Sequence, residues 1–460
     1  MSATQDRVDP RVWWIAATCS CGPLMSGLDS TMVNVSLDTL GQVFGAPLGT
    51  IQWVTSAYLL SLALALPLSG WLMDRVGARR IFLSCFVVFI LGSALSAMAP
   101  TVEMLIASRV LQGIAGGLLA PMMQMMMARH AGKHMARVIG IAAMPVMVGQ
   151  MLGASLGGLL LTYLGWRWIF LVNLPVGALA VVFAWLVLPR DETTTPRRLD
   201  LLGFALISPG LVLLLHGLAA LAHGPDGGPN GPPYGLILSV LLLAAFAVHA
   251  MRARHMALID LRLFAGRTFQ AAAATQFLSN AISFGGQLLL PLYFLKIHGA
   301  SPALTGLLLA PMALGMFFSL PVMGRLSERF GARMISGSGA GIALIGTLPF
   351  ALAGPETSWV ILCLALFVRG FGMGSITIPS AAAAYASVPR ESLSSATTAI
   401  NICQRFGGPV GTTALALFLQ HQLTVDVALS AYTATFWLLT AMAGGGLIAA
   451  SRLPGRGARR

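Results

Sequence analysis

The chain has 460 residues, of which 57% are hydrophobic and only 9% are charged. Soluble domains carry about 25% charged residues, so this composition excludes a soluble globular protein and indicates a membrane protein. The net charge of +13 is spread over the termini and alternate loops instead of one patch, which argues against nucleic acid as a partner.

Apolar stretches long enough to cross a bilayer follow one another along nearly the whole sequence. They predict an all-α integral membrane protein in which every backbone polar group is satisfied within a helix. We expect fourteen spans, which lie at residues 12–35, 51–73, 81–100, 103–128, 138–162, 168–188, 201–222, 235–251, 269–295, 303–324, 334–353, 358–386, 393–419 and 430–451.

The basic residues between the spans predict the orientation of the chain. Arginine and lysine collect in every second loop, whereas the intervening loops hold only Arg167 and Lys296. We expect the protein in the cytoplasmic (inner) membrane. Because positive residues collect on the cytoplasmic side, both termini are expected to face the cytoplasm. The number of spans is then even.

Two polar segments divide the spans into groups of six, two and six. The first is residues 189–198, and the second is the basic stretch 252–267 that follows a turn-rich loop at 223–233. The predicted domains are a six-helix bundle at 1–189, two additional spans with their linkers at 190–260, and a second six-helix bundle at 261–460.

A charged hairpin occurs twice, once after the second span of each six-helix group. The sequence GWLMDRVGARR begins at Gly70, and its counterpart GRLSERFGARM begins at Gly324. An acid beside an arginine at the membrane edge pairs with a neighbouring helix end in one conformation and releases it in another, whereas a simple positive turn needs no acid. We favour the first interpretation, a conformational latch that comprises Gly70, Asp74, Arg75, Gly77, Arg79, Glu328, Arg329 and Gly331.

Asp29 is the one carboxylate predicted well inside a span. An acid at that depth costs at least about 2.5–3.5 kcal/mol on insertion scales, so it marks a functional site by default. Burial raises the pKa of a carboxyl group and a nearby arginine lowers it, so a change of conformation would let Asp29 take up and release a proton. A static partner for an arginine is the alternative.

Arg109 and Gln112 lie three residues apart on one face of the fourth predicted span. An arginine at that depth needs an acceptor. Asp29 is the candidate partner, and backbone carbonyl groups are the alternative.

Four glycines of the fifth predicted span indicate close helix packing. Gly149, Gly153 and Gly157 recur every four residues and so share one face, and Gly158 follows them.

Further polar side chains at membrane depth are candidates for the lining of a substrate cavity, because contact with lipid would leave their donors unpaired. With the first-span asparagine and the span-four glutamine, this set is Asn34, Gln112, Gln276, Asn280, Gln287, Asn401, Gln404 and Arg405.

Several of these motifs together resemble a known family. The hairpin at 70–80, the RVLQG run at 109–113 and the GxxxGAxxGG run at 149–158 resemble signatures of the major facilitator superfamily. The LDSTMVNV run at 28–35 and the WRWIFLVNLPVG run at 166–177 are similar to signatures of its fourteen-span drug:proton antiporter (DHA2) family.

The resemblance implies a major facilitator fold, with two six-helix bundles related by pseudo-two-fold symmetry and two extra central helices. It implies export of amphipathic organic compounds, cations included, against proton entry by alternating access. In the family pattern, the position of Asp29 is the proton site, and the position of Arg109 assists proton exchange. The antiporter motif, matched here by the four glycines of the fifth span, favours an outward-directed exchange cycle. The partners would be the lipid bilayer, small organic substrates and protons, driven by the proton motive force without cofactor or metal.

Two other functions stay open at this stage. One is a dedicated exporter of a single metabolite, siderophore or self-made antibiotic, which the sequence does not separate from multidrug export. The other is a membrane-embedded enzyme or non-transporting sensor, against which we find no catalytic pattern of histidine, serine or paired acids and no phosphate-binding loop. The short loop expected between the last two spans gives only weak support for a periplasmic adaptor protein.

Overall fold

The structure is a computed structural model, and it describes residues 8–190, 198–223, 234–253, 257–354 and 357–455. The predicted polar segment at 191–197 and the turn-rich loop at 224–233 lie outside the described residues. The chain divides into two compact units. Unit 1 comprises Met1–Val212, Ser239–Asp260 and Arg390–Thr398, and unit 2 comprises Leu213–Leu238, Leu261–Pro389 and Ala399–Arg460.

The described residues form sixteen α-helices in chain order. The first eight are α1 Pro10–Phe44, α2 Leu48–Ala65, α3 Leu68–Val76, α4 Ala78–Ala97, α5 Val102–His130, α6 Met135–Tyr163, α7 Arg167–Leu171 and α8 Asn173–Val187. The others are α9 Leu201–His223, α10 Tyr234–Ala253, α11 Arg267–Lys296, α12 Pro302–Phe330, α13 Ala332–Leu352, α14 Trp359–Ala386, α15 Leu393–Val425 and α16 Ala428–Ser451.

Eleven helices are long and apolar enough to cross a membrane, and a bent pair brings the number to twelve if it forms one span. The helices α1 and α15 lie outside this number, although they are 35 and 33 residues long. Both carry many polar side chains, Asp29 and Arg405 among them. The all-α membrane fold is thus confirmed for the described residues, while fourteen spans stay a prediction.

Two details differ from the expectation. The second predicted span is broken at Pro67 into α2 and α3, whose axes differ by 58°, because proline cannot donate to the helical ladder. The loop before α16 was expected to have about ten residues, yet α15 continues to Val425 and leaves only Asp426 and Val427 before Ala428.

Each unit has its own buried core. In unit 1, α1 packs on α5, α6 and α8, and α4 packs on α5 and α8. In unit 2, α14 packs on α11, α12 and α13, and α16 packs on α11 and α13. Tyr293 lies at the centre of an aromatic cluster in unit 2, with its ring centroid 5.2 Å from that of Phe436 in a perpendicular arrangement.

Candidate functional site

Asp29 lies in the middle of α1 and is completely buried. Its Oδ2 atom is 2.5 Å from Nη1 of Arg109 on α5, and its Oδ1 atom accepts a hydrogen bond of 3.0 Å from Nδ2 of Asn173 on α8. The carboxylate therefore has both a cation and an amide donor. The predicted pairing of Asp29 with Arg109 is present in the structure.

Arg109 is also completely buried, and other groups of unit 1 hold it in place. Its Nη1 atom donates to Oε1 of Gln112 at 2.7 Å, and its Nε atom donates to the Val54 carbonyl at 3.3 Å. The guanidinium carbon lies 4.2 Å from the centroid of the Tyr58 ring, a cation–π contact. Both acceptors considered from the sequence, the acid and a backbone carbonyl, are thus in use.

A second group of polar side chains joins α4 and α8 to this pair. Ser93 on α4 accepts hydrogen bonds from Gln112 at 2.5 Å and from Asn173 at 3.2 Å. The result is a polar network that spans four helices inside an apolar bundle. Within this network the buried ion pair of Asp29 and Arg109 joins α1 to α5.

The first charged hairpin connects α3 to two other helix ends of unit 1. Asp74 accepts a hydrogen bond of 2.8 Å from Nη2 of Arg129, which lies in the last turn of α5. It accepts another of 2.5 Å from the hydroxyl of Ser394, near the start of α15. A Cβ atom on Gly70 would lie 2.9 Å from the Ser394 carbonyl oxygen, so glycine permits this close approach. The predicted pairing of the acid with a neighbouring helix end is present here.

Both hairpins turn at a glycine with positive φ. Gly77 has φ of 99° and Gly331 has φ of 87°, values that L side chains rarely adopt. In the first hairpin Arg79 donates to the Trp185 carbonyl and stacks over its ring, and Arg75 is exposed.

In the second hairpin Glu328 is partly buried, and the exposed Arg329 lies over the ring of Phe330 at 5.3 Å. A latch role for this copy stays a prediction.

Three of the four motif glycines form a seam between α6 and α1. A Cβ atom would overlap Leu24 at Gly149 and Thr31 at Gly153, and would approach the Met32 Cα atom to 3.0 Å at Gly157. The prediction of close packing is confirmed at these three positions. Gly158 is different, because a Cβ atom there would meet nothing within 4 Å.

The polar candidates for a substrate cavity divide into two groups. Gln112 and Gln276 are completely buried. Gln276 donates a hydrogen bond of 2.6 Å to the Thr377 carbonyl and accepts one of 2.9 Å from Gln404. Gln112 belongs to the network around Asp29. A substrate-facing role for these two residues stays a prediction.

Most of the other candidates are at least partly accessible. Asn34 is exposed and accepts a hydrogen bond of 3.2 Å from Thr55, and Gln287 is exposed. Asn280 is half-buried and donates 2.9 Å to the Gln276 carbonyl. Asn401 is buried and Arg405 is half-buried on α15. A substrate-facing role for these residues stays a prediction.

A family profile described as Major Facilitator Superfamily matches residues 19–412 and 272–459. The chain belongs to this superfamily. The motifs that resemble it lie inside the matched residues, and so do Asp29, Arg109 and Asn173.

Members of the superfamily with similar sequences are named for drug resistance. A multidrug resistance protein B homolog of Mycobacterium tuberculosis is 35% identical over 91% of this chain and 78% of its own length. The putative multidrug resistance protein MdtD of Escherichia coli is 31% identical over 95% of this chain and 92% of its own length. The structure of the proton:xylose symporter XylE matches with a TM-score of 0.67 at 16% identity, over 96% of this chain and 95% of that one, which supports the fold.

Sequence reasoning missed three residues that the structure makes prominent. Asn173 entered the sequence analysis only as part of the run at 166–177 that is similar to a signature of the drug:proton antiporter family, and Ser93 has no signal in the sequence beyond its depth in a span. Arg369 on α14 is 1% exposed. Its signal was available, because it is an arginine within an apolar span just as Arg109 is.

Proposed function

We propose that the chain is a proton-coupled antiporter that exports amphipathic organic compounds across the cytoplasmic membrane by alternating access. The observation that carries the proposal is the buried ion pair between Asp29 and Arg109. The names of the similar superfamily members support the export of several drugs. The distribution of lysine and arginine supports cytoplasmic termini.

The chemistry of the proposed cycle follows from the contacts of Asp29. A proton that enters from outside neutralises the carboxylate, and its attraction for Arg109 is then lost. The guanidinium keeps its hydrogen bonds to Gln112 and to the Val54 carbonyl, so the side chain of Arg109 stays in place while the attraction between α5 and α1 weakens. Release of the proton to the cytoplasm restores the ion pair and resets the cycle.

The membrane potential supplies enough free energy for such an exchange. Each elementary charge that crosses contributes about 2.3 kcal/mol per 100 mV. A concentration ratio of ten for an exported compound costs about 1.4 kcal/mol, so one proton supports uphill export of one neutral compound.

The test uses the purified full chain in liposomes that contain a fluorescent amphipathic dye and carry an imposed proton gradient. We expect uphill dye movement that an uncoupler abolishes, together with proton movement in the opposite direction. Asp29→Asn should lose uphill movement, whereas the matched control Asp38→Asn, an exposed acid on the same helix, should keep it. Uphill movement at the wild-type rate in Asp29→Asn would contradict the coupling role.

A panel of chemically unrelated compounds distinguishes multidrug export from a dedicated exporter. Movement of several unrelated amphipaths supports the first, and movement of one compound alone supports the second.

A further inference from the structure

A second arginine lies deep in the apolar interior, in unit 2. Arg369 on α14 is 1% exposed, and its Nη2 atom donates 2.9 Å to the Ile282 carbonyl of α11. Its Nε and Nη1 atoms have no hydrogen-bond partner among the described residues. The guanidinium rests directly on the α11 backbone at Gly286, where a Cβ atom would overlap it.

Arg369 differs from Arg109 in the charge that surrounds it. Each arginine lies on the fourth helix of a predicted six-helix group, α5 and α14. Arg109 has the carboxylate of Asp29 at 2.5 Å. Within the described part of the chain no carboxylate pairs with Arg369, and its one hydrogen bond goes to a backbone carbonyl.

An arginine in this position stays charged, because its guanidinium does not deprotonate in proteins. A buried charge is unfavourable unless a counter-charge and hydrogen bonds compensate it. Ionisable residues within membrane spans commonly mark the paths of substrates and ions. The open donors of Arg369 are therefore suited to an anion, and a carboxylate accepts from two guanidinium nitrogens at once.

A second unmatched polar group lies beside the acceptor of Arg369. Ser279 is on α11, one turn before Ile282, and it is 3% exposed. Its hydroxyl has no partner among the described residues, and it lines a narrow cavity that also reaches Ile282 and Met373. In this conformation the cavity has a volume of about 10 Å³, which is room for about one water molecule.

We infer that Arg369 binds a monovalent anionic group, the carboxylate of an exported compound or a free ion such as chloride. The first source rests on the proposed export function, and the second does not. Because Asp29 is already matched by Arg109 while Arg369 is unmatched, the charge balance favours zwitterionic or anionic amphipaths over purely cationic ones. This narrows the substrate class expected from the sequence, which included cations.

The binding test compares two forms of one dye, a rhodamine with a free carboxylate and its methyl ester. The two differ in one negative charge and in little else. Thermal unfolding of the purified full chain is measured in detergent at increasing concentrations of each form, and of chloride at constant ionic strength. We expect the carboxylate form to bind at least tenfold more tightly than the ester.

Variants connect that difference to the arginine. Arg369→Met should bind both dye forms equally, and Arg369→Lys should keep part of the difference because it keeps the charge. Arg452→Met, an exposed arginine at the end of α16, should behave as the wild type. The dye comparison on the wild type needs no variant, so equal affinity for the two forms overturns the inference even if a variant fails to fold.

The outcomes separate the two sources and separate this inference from the proposed function. If chloride stabilises the protein, competes with the dye and loses its effect in Arg369→Met, the bound anion is a free ion. If the carboxylate dye stabilises the protein and chloride does not, the bound anion is the carboxylate of the compound. Equal affinity for both dye forms with no effect of chloride, or an unchanged preference in Arg369→Met, would overturn the anion site. Failure of transport in liposomes with preferential carboxylate binding would overturn export alone.

Discussion

The carboxylate of Asp29 and the guanidinium of Arg109 meet at 2.5 Å with neither side chain exposed, although they are 80 residues apart in sequence. Asn173 donates a further hydrogen bond to Asp29, and Gln112 accepts one from Arg109. A buried pair of this kind contributes little net stability while it is intact, but the loss of one member leaves a buried charge. The stability of the protein should therefore respond unequally to single and double changes at these positions.

The first prediction concerns the loss of the cation. Arg109→Met should lower the free energy of unfolding by about 3–5 kcal/mol at neutral pH, because the charge of Asp29 is left without its partner. Equilibrium unfolding in mixed micelles, followed by tryptophan fluorescence, measures this change. Adding Asp29→Asn to Arg109→Met should recover part of the loss, and a double variant less stable than Arg109→Met would contradict the pairing.

The second prediction concerns the arginine that lacks an acid. Arg369→Met should keep the free energy of unfolding unchanged or raise it by about 1–4 kcal/mol when no ligand is present, because an uncompensated buried charge is replaced by an apolar side chain. The same unfolding measurement applies. A decrease as large as that of Arg109→Met would show that Arg369 has a counter-charge in the folded protein.

The third prediction concerns the seam between α1 and α6. Gly153→Ala should lower the free energy of unfolding by about 1–3 kcal/mol, since its Cβ atom would collide with Thr31 and come within 3.2 Å of the Leu28 carbonyl oxygen. Gly158→Ala is the matched control on the same helix, and its open surroundings should make it neutral or more stable by up to about 1 kcal/mol. Equal effects at the two positions, measured by thermal unfolding, would argue against the seam.

The fourth prediction concerns the first hairpin. The pair of Asp74 with Arg129 is partly exposed, at 15% and 35% of their side chains, so its contribution to stability is at most about 1 kcal/mol. Asp74→Asn should therefore leave unfolding nearly unchanged while it lowers the transport rate several-fold at constant KM, because Asp74 is remote from the proposed site. Glu103→Gln, an exposed acid at the start of α5, serves as the control in dye transport. A loss of folding in Asp74→Asn, or an unaltered rate, would refute the latch.

Sequence reasoning located the helices and the central pair for a simple physical reason. Apolar length fixes where a chain crosses a membrane, and the predicted positions of most later helices differ from the observed ones by a few residues. The pairing of Asp29 with Arg109 was also accessible, since two opposite charges within apolar spans have few other ways to be satisfied.

The remaining parts of the site depend on helix rotation, which composition does not reveal. Asn173 reaches Asp29 across 144 residues of sequence, and Ser93 accepts from two helices at once. The hydrogen-bond partners of Gln112 and Gln276 were not predicted for the same reason, because a polar side chain at depth satisfies its donors within a bundle as readily as in a cavity. The break at Pro67 was missed because the apolar run continues through it.

The separation of Asp29 and Arg109 along the sequence has a consequence for biogenesis. As the nascent chain leaves the ribosome, α1 reaches the translocon long before α5 has been made. A central aspartate raises the cost of insertion by about 2.5–3.5 kcal/mol, and Arg109, its partner in the folded protein, has not yet been made. The first helix should thus be held at the insertion machinery until the fourth span of its bundle arrives, so that the acid at the heart of the site also sets the order in which this half of the protein enters the bilayer.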